Sequence, residues 1–171
     1  TIRLHQVKYY DRTGIPPVDY GVLMFYNMGS IDASNNNSIY QKNNAQKYIT
    51  SLQHYPLQLD VALPIFSWGI QIRQGKVVQL LNKMYLNNLE NDAHFTKIAP
   101  NRFKVTQATF KGGYYFLADD EVKIENISPS ELSEMAEMIH KNTKKTINHL
   151  VFYDLDSLNI ANYEITTFKQ M

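Results

Sequence analysis

Gly21-Val22-Leu23-Met24-Phe25-Tyr26 is the stretch on which the fold turns. An unbroken apolar run of strand length marks a strand buried on both faces, as in a parallel sheet. Residues 59–66, Leu59 to Phe66, are again apolar and of strand length. Between them, residues 27–38 hold Gly29 and the Asn35, Asn36, Asn37 cluster, a polar loop. Residues 39–54 place Tyr40, Asn44, Tyr48 and Leu52 four apart, which is helix spacing, with Ser38 as N-cap. Upstream, residues 1–8 read as a strand with Ile2, Leu4 and Val7 marking one face. Residues 11–19, holding Gly14, Pro16 and Pro17, form a loop. The order β, loop, β, α, β predicts a parallel sheet covered by helices.

Downstream of residue 66 the alternation stops. Residues 70–73 and 76–81 flank Gln74 and Gly75, a short turn that predicts a hairpin and so antiparallel pairing. Residues 84–94 read as a short helix, 102–110 and 114–118 as strands around Gly112 and Gly113, and 121–127 as a polar edge strand. Asp119-Asp120-Glu121 reads as a solvated turn. At Ser128 the helical pattern resumes: Ser128, Pro129 and Glu131 are a strong start signal, and Leu132, Met135, Ala136 and Ile139 give an apolar stripe. Lys141, Lys144 and Lys145 make a basic helix end. Residues 150–153 then form a buried-type strand ending at Asp154, and 160–168 a closing helix. The chain thus divides into residues 1–66, an antiparallel-rich insertion over 67–127, and a resumed portion over 128–171, all within one structural domain.

Composition excludes several classes. The 17 Lys and Arg against 16 Asp and Glu leave a net charge of +1, so no summed field selects nucleic acid or acidic lipid. The absence of Cys removes disulfides, thiolate metal sites and Cys nucleophiles. His5, His54, His94, His140 and His149 lack ligand-type spacing, so no metal is expected. No nucleotide-cradling Gly-rich loop or Gly-x-Ser-x-Gly elbow occurs, so no cofactor is expected either. No run reaches the ~18 apolar residues of a spanning helix, so membrane insertion is not expected.

The buried strands, residues 1–7, 22–26, 59–65 and 150–153, are half of an eight-stranded barrel. A closed barrel takes about 200–250 residues, which 171 with an insertion do not supply. The expected fold is therefore α/β, a partial (half) TIM-type barrel of parallel strands with an antiparallel-rich insertion. The alternative is a small open α/β sheet with a β subdomain. The abrupt strand at Thr1 favours the first, with an N-terminal portion removed. A half-barrel leaves two open sheet edges, which predicts a homodimer of the fragment.

Leu23-Met24-Phe25-Tyr26-Asn27 resembles the sixth strand of the chitinase-like glycoside hydrolases, where Met-x-Tyr-Asp sits at the barrel mouth; Asn27 stands in place of that Asp. In that family an antiparallel-rich insertion follows the seventh strand, and the hairpin region after Phe66 falls at the corresponding place. Thr1-Ile2-Arg3-Leu4-His5-Gln6, Gly14-Ile15-Pro16-Pro17 and Tyr26-Asn27-Met28-Gly29 are similar to a group of uncharacterised bacterial exported proteins with a glycosidase-like barrel. The resemblance implies a barrel that acts on or binds carbohydrate outside the cytoplasm. Two departures count against hydrolysis: the family's acidic run with its catalytic Glu does not occur, and the last strand ends in Tyr153-Asp154 rather than Trp.

In parallel α/β folds ligands sit outside the carboxyl ends of the strands. His5, Gln6, Tyr26, Asn27, Trp68 and Tyr153 follow the apolar runs there. Planar rings suit the C–H face of a pyranose, and Asn and Gln can hydrogen-bond hydroxyls, so the set is suited to sugar. Each also has a structural reading: a core Tyr, a loop-capping Asn, a Trp packed under the hairpin, a His bonded at a sheet edge. Asp154 and Asp156 are the catalytic candidates. On a continuing strand they face one side, where like charge raises one pKa. Alternatively they are loop and N-cap residues of the next helix.

Overall fold

The computed structural model describes residues 1–143, 149–169 and 171, which leaves Lys144 and Lys145 outside the described residues. In chain order the elements are β1 (Ile2–Arg3), α1 (Leu4–Lys8), α2 (Tyr10–Thr13), β2 (Tyr20–Met24), α3 (Lys42–Leu52), β3 (Gln58–Pro64), β4 (Trp68–Arg73), β5 (Lys76–Asn82) and α4 (Leu86–Glu90). There follow β6 (Phe95–Ala99), β7 (Arg102–Val105), β8 (Thr109–Lys111), β9 (Tyr114–Phe116), β10 (Glu121–Glu125), α5 (Pro129–Asn142), β11 (Leu150–Tyr153), α6 (Ser157–Ile160) and α7 (Ile165–Lys169). The fold is mixed α/β. Two compact units divide it: the first holds Thr1–Gly29, Ile39–Ile65 and Ile127–Met171, the second Ser30–Ser38 and Phe66–Asn126.

The first unit is built on a four-stranded sheet in the order β1-β2-β3-β11, every pair parallel. β3 lies between two neighbours, and all its residues after Gln58 are buried, which is why it reads as an apolar run broken only by Asp60. Gly21 lets β1 come close to β2, since a Cβ there would stand 2.6 Å from Ile2 Cδ1. Helices α3 and α5 pack against each other, and α5 also packs on β3. Leu132, Met135, Ala136 and Ile139 of α5 are buried, the stripe that the sequence predicts. Ser128 accepts from the Glu131 amide while Glu131 accepts from the Ser128 amide, so the predicted start signal is a complete capping box. No pairing joins β1 to β11 among the described residues.

Several expectations for this unit need correction. The strand expected over residues 1–8 stops at Arg3, and Leu4–Lys8 is helical. Leu4 and Val7 are three apart and both buried, a spacing that fits one helical turn and not the two-residue period of a strand face. The Gln6 side chain settles the choice by accepting from the Arg3 amide at 2.8 Å. The loop expected over 11–19 begins with helix α2. Helix α3 starts at Lys42 behind Gln41, not behind Ser38. β11 is an edge strand of alternating exposure, not a fully buried one. The closing helix over 160–168 is two short helices, α6 and α7.

The second unit carries a five-stranded antiparallel sheet, β5-β4-β10-β7-β6, and a two-stranded ribbon, β8-β9. Its core gathers Leu81, Leu89, Phe103, Val105, Phe116 and Val122. The β4-β5 hairpin turns on Gln74 and Gly75, both at positive φ (51° and 75°), as the right-handed strand twist demands of a two-residue turn. Gly112 and Gly113 do the same for the ribbon, which separates from β7 instead of continuing it over 102–110.

β10 is not the polar edge strand expected; it is the central strand, between β4 and β7. Its polar side chains are buried as a pair. Lys123 and Glu125 side chains are 0% and 1% exposed, with Nζ 2.7 Å from Oε1, close enough for the charges though not aligned as a hydrogen bond. Lys123 Nζ also donates to the carbonyls of Asp32, Ser34 and Asn36 at 3.0, 2.8 and 3.1 Å. Glu125 Oε2 accepts from the Ser38 amide at 3.0 Å, from the Ser38 hydroxyl, and from Trp68 Nε1 at 2.9 Å. The pair thus ties residues 30–38 to the sheet.

Asp120 is likewise buried, not in a solvated turn. It accepts from Arg73 Nε at 2.7 Å, Gln71 Nε2 at 2.6 Å and the Leu117 amide at 2.9 Å. Burial pushes its carboxyl up, but the Arg73 bond and the two further donors outweigh that and hold it below the ordinary range.

Removing one member of a buried ion pair leaves an uncompensated charge, at about 3–5 kcal/mol. Lys123→Met is therefore expected to lower the urea midpoint sharply. Glu125→Gln added to it keeps an acceptor for Ser38 and Trp68 while removing the stranded charge, and recovers part of the loss. Strictly additive midpoint shifts would refute the pairing.

Candidate functional site

The carboxyl ends of β1 and β2 open on a cavity of about 290 Å³ in the first unit. Arg3 and His5 reach it from the end of β1 and the start of α1, Met24, Tyr26 and Asn27 from the end of β2, and Tyr48 from α3. Parallel pairing of Ile2 with Leu23 and Arg3 with Met24 aligns those ends, so the neighbouring strands deliver their following residues to one place. Asn27 is exposed at φ 57°, a left-handed conformation that Asn tolerates better than most side chains. Tyr26 is buried, and its ring stacks on Tyr153 at the end of β11, centroids 5.5 Å apart with planes 5° from parallel. Burial first, then the neighbouring Tyr153 and Asp154, push the Tyr26 phenol up to about 12. It therefore keeps its proton at neutral pH.

Of the residues singled out from sequence, His5, Tyr26 and Asn27 share this cavity, with Tyr153 behind Tyr26. Gln6 does not; its Oε1 caps α1 through the Arg3 amide. Trp68 opens β4 in the second unit, where its indole N–H is given to Glu125 and its ring leans on Phe66 at 5.2 Å. The premise for Asp154 and Asp156 as a same-face carboxyl pair, a strand continuing through both, does not hold, because β11 ends at Tyr153. Asp156 is the N-cap of α6, accepting from the Leu158 amide at 2.8 Å, and the Asp154 carboxylate accepts from Asn159 Nδ2.

Arg3, Met24 and Tyr48 were not singled out as site residues. Tyr48 was visible as a member of the four-apart stripe, but a stripe does not distinguish a cavity wall from a core. Among the described residues no group of three or more His, Asp or Glu is placed to hold a metal ion. No described helix is long and apolar enough to cross a membrane.

The chain matches no family model and no curated protein. A solved structure similar to it is that of the Bacillus cereus spore cortex-lytic enzyme SleL, at 10% identity and a TM-score of 0.46. The match covers 86% of this chain and 35% of that one. So distant a likeness carries no argument about the site.

The raised Tyr26 phenol has a signed consequence. The folded state holds that proton more tightly than an unfolded tyrosine at 10.0, so the stabilisation is complete below pH 10 and is lost as pH rises through about 12. Tyr26→Phe is expected to flatten the fall of stability between those values in alkaline denaturation, and an unchanged slope would contradict the assignment.

Proposed function

We propose that the strand-end cavity of the first unit binds carbohydrate, and that the parallel sheet around it is part of a glycosidase-like barrel. The observation that carries the reading is the cavity lining itself: Tyr26 and Tyr48 supply ring surface, and Asn27 and His5 supply polar groups, all at the carboxyl ends of β1 and β2. Aromatic faces take the C–H side of a pyranose, while an amide that both donates and accepts suits vicinal hydroxyls. The cavity is near the lower end of the ~300–1,000 Å³ range of ligand clefts, which fits one ring or a chain end. Asp156 caps α6 and Asp154 is held by Asn159, so this reading is of binding, and hydrolysis needs a carboxyl group beyond these two. Protein association is a second element of the proposal: β1 and β11 each pair with one strand only among the described residues, and such edges favour self-pairing.

Asn27→Gly preserves the left-handed backbone while deleting the amide, and Tyr48→Ala deletes ring area from a half-buried position. Each is expected to weaken binding of a responsive glycan about tenfold, since one lost polar or stacking contact is worth about 1–1.5 kcal/mol. A folded protein that binds nothing on a broad glycan panel ends the proposal. Light scattering tests the edges: a dimer is expected, and a stable monomer would remove that element.

A further inference from the structure

We propose, resting on the carbohydrate reading above, that the sugar taken by this cavity is anionic, carrying a carboxylate or phosphate on the ring. The argument is the sign of the charge around the lining. Arg3 stands on one wall, and Lys8 lies behind another, its Nζ 5.5 Å from the ring centroid of Tyr48. Among the described residues that line the cavity, none is acidic. Asp154, which acts on the Tyr26 phenol, has its carboxylate held by Asn159 Nδ2.

Arg3 has no ion-pair partner among the described residues, although its chain carries 16 acidic side chains. Of the other three arginines, Arg73 is spent on Asp120 and Arg102 on Glu121, and Arg12 does not line the cavity. A guanidinium left over beside a cavity presents a planar fork of donors matched to the paired oxygens of a carboxylate or phosphate. Asn27 and the Tyr26 and Tyr48 rings then remain for the hydroxyls and carbon face of the same sugar. The resulting lining favours a ring with a single anionic substituent over a neutral one, because the neutral ring leaves the guanidinium without its partner.

The test is a chemical-shift titration of the full chain with glucuronic acid, glucose 6-phosphate and glucose. At least one of the two anionic sugars is expected to bind about tenfold more tightly than glucose, the size of one charge-assisted contact. The stronger of the two identifies the anion. Added salt weakens the preference, and Arg3→Gln reduces it to about twofold or less while Arg3→Lys retains part of it. Arg3 is exposed, so neither variant is expected to disturb folding, which the spectra themselves report. Glucose bound as well as both anions, or a preference untouched by Arg3→Gln, overturns the charge assignment and leaves the carbohydrate reading in place. No response to any of the three, with none on the glycan panel, overturns both.

Discussion

A strand that pairs parallel to its neighbour cannot reach it by a tight turn, because the chain has to travel back along the sheet first. That constraint organises the first unit. It requires an excursion after β1, after β2 and after β3, and it lines up the carboxyl ends of the strands on one side. Two of those ends bring Arg3, His5, Tyr26 and Asn27 to one cavity from positions some twenty residues apart in the chain. The excursion after β3 is the longest, and the second unit's sheets are folded within it.

The second unit answers a different problem. A central strand with Lys and Glu pointing inward should be costly, since each charge loses its water. Here the loss is offset locally: three carbonyls surround the ammonium, and an amide, a hydroxyl and an indole N–H meet one carboxylate oxygen. Residues 30–38 have no regular secondary structure of their own, and these bonds give their backbone groups partners. Trp68, the one Trp in the chain, belongs to this arrangement, which explains its position without a ligand.

Legibility followed the range of the forces involved. Strands β2 and β3, the parallel alignment of the sheet, the β4-β5 hairpin and the start of α5 rest on largely apolar runs or on residues within a turn of each other. They could be read directly. The cavity lining was half legible: the rule that ligands sit at strand ends points to His5, Tyr26 and Asn27, which line the cavity, but not to Tyr48, whose place there depends on where α3 lies against the sheet. Gln6 and Asp156 share a feature that the strand-end rule does not see. Their side chains are engaged by backbone amides within three residues, and such capping competes with function for the same residue types.

What the amino-acid order determined alone was the set of elements whose stabilising pattern is local: apolar period, turn conformation and helix caps. What only the tertiary structure decided was which charges are buried and which are left over. Lys123 bonds to residues 32, 34 and 36, and Asp120 to Arg73, separations of 47 to 91 positions. No window of sequence contains both partners, and a lysine in a polar strand looks the same whether it faces water or three carbonyl oxygens. The same holds for Arg3, whose unpaired charge acquires meaning only beside a cavity assembled by other strands.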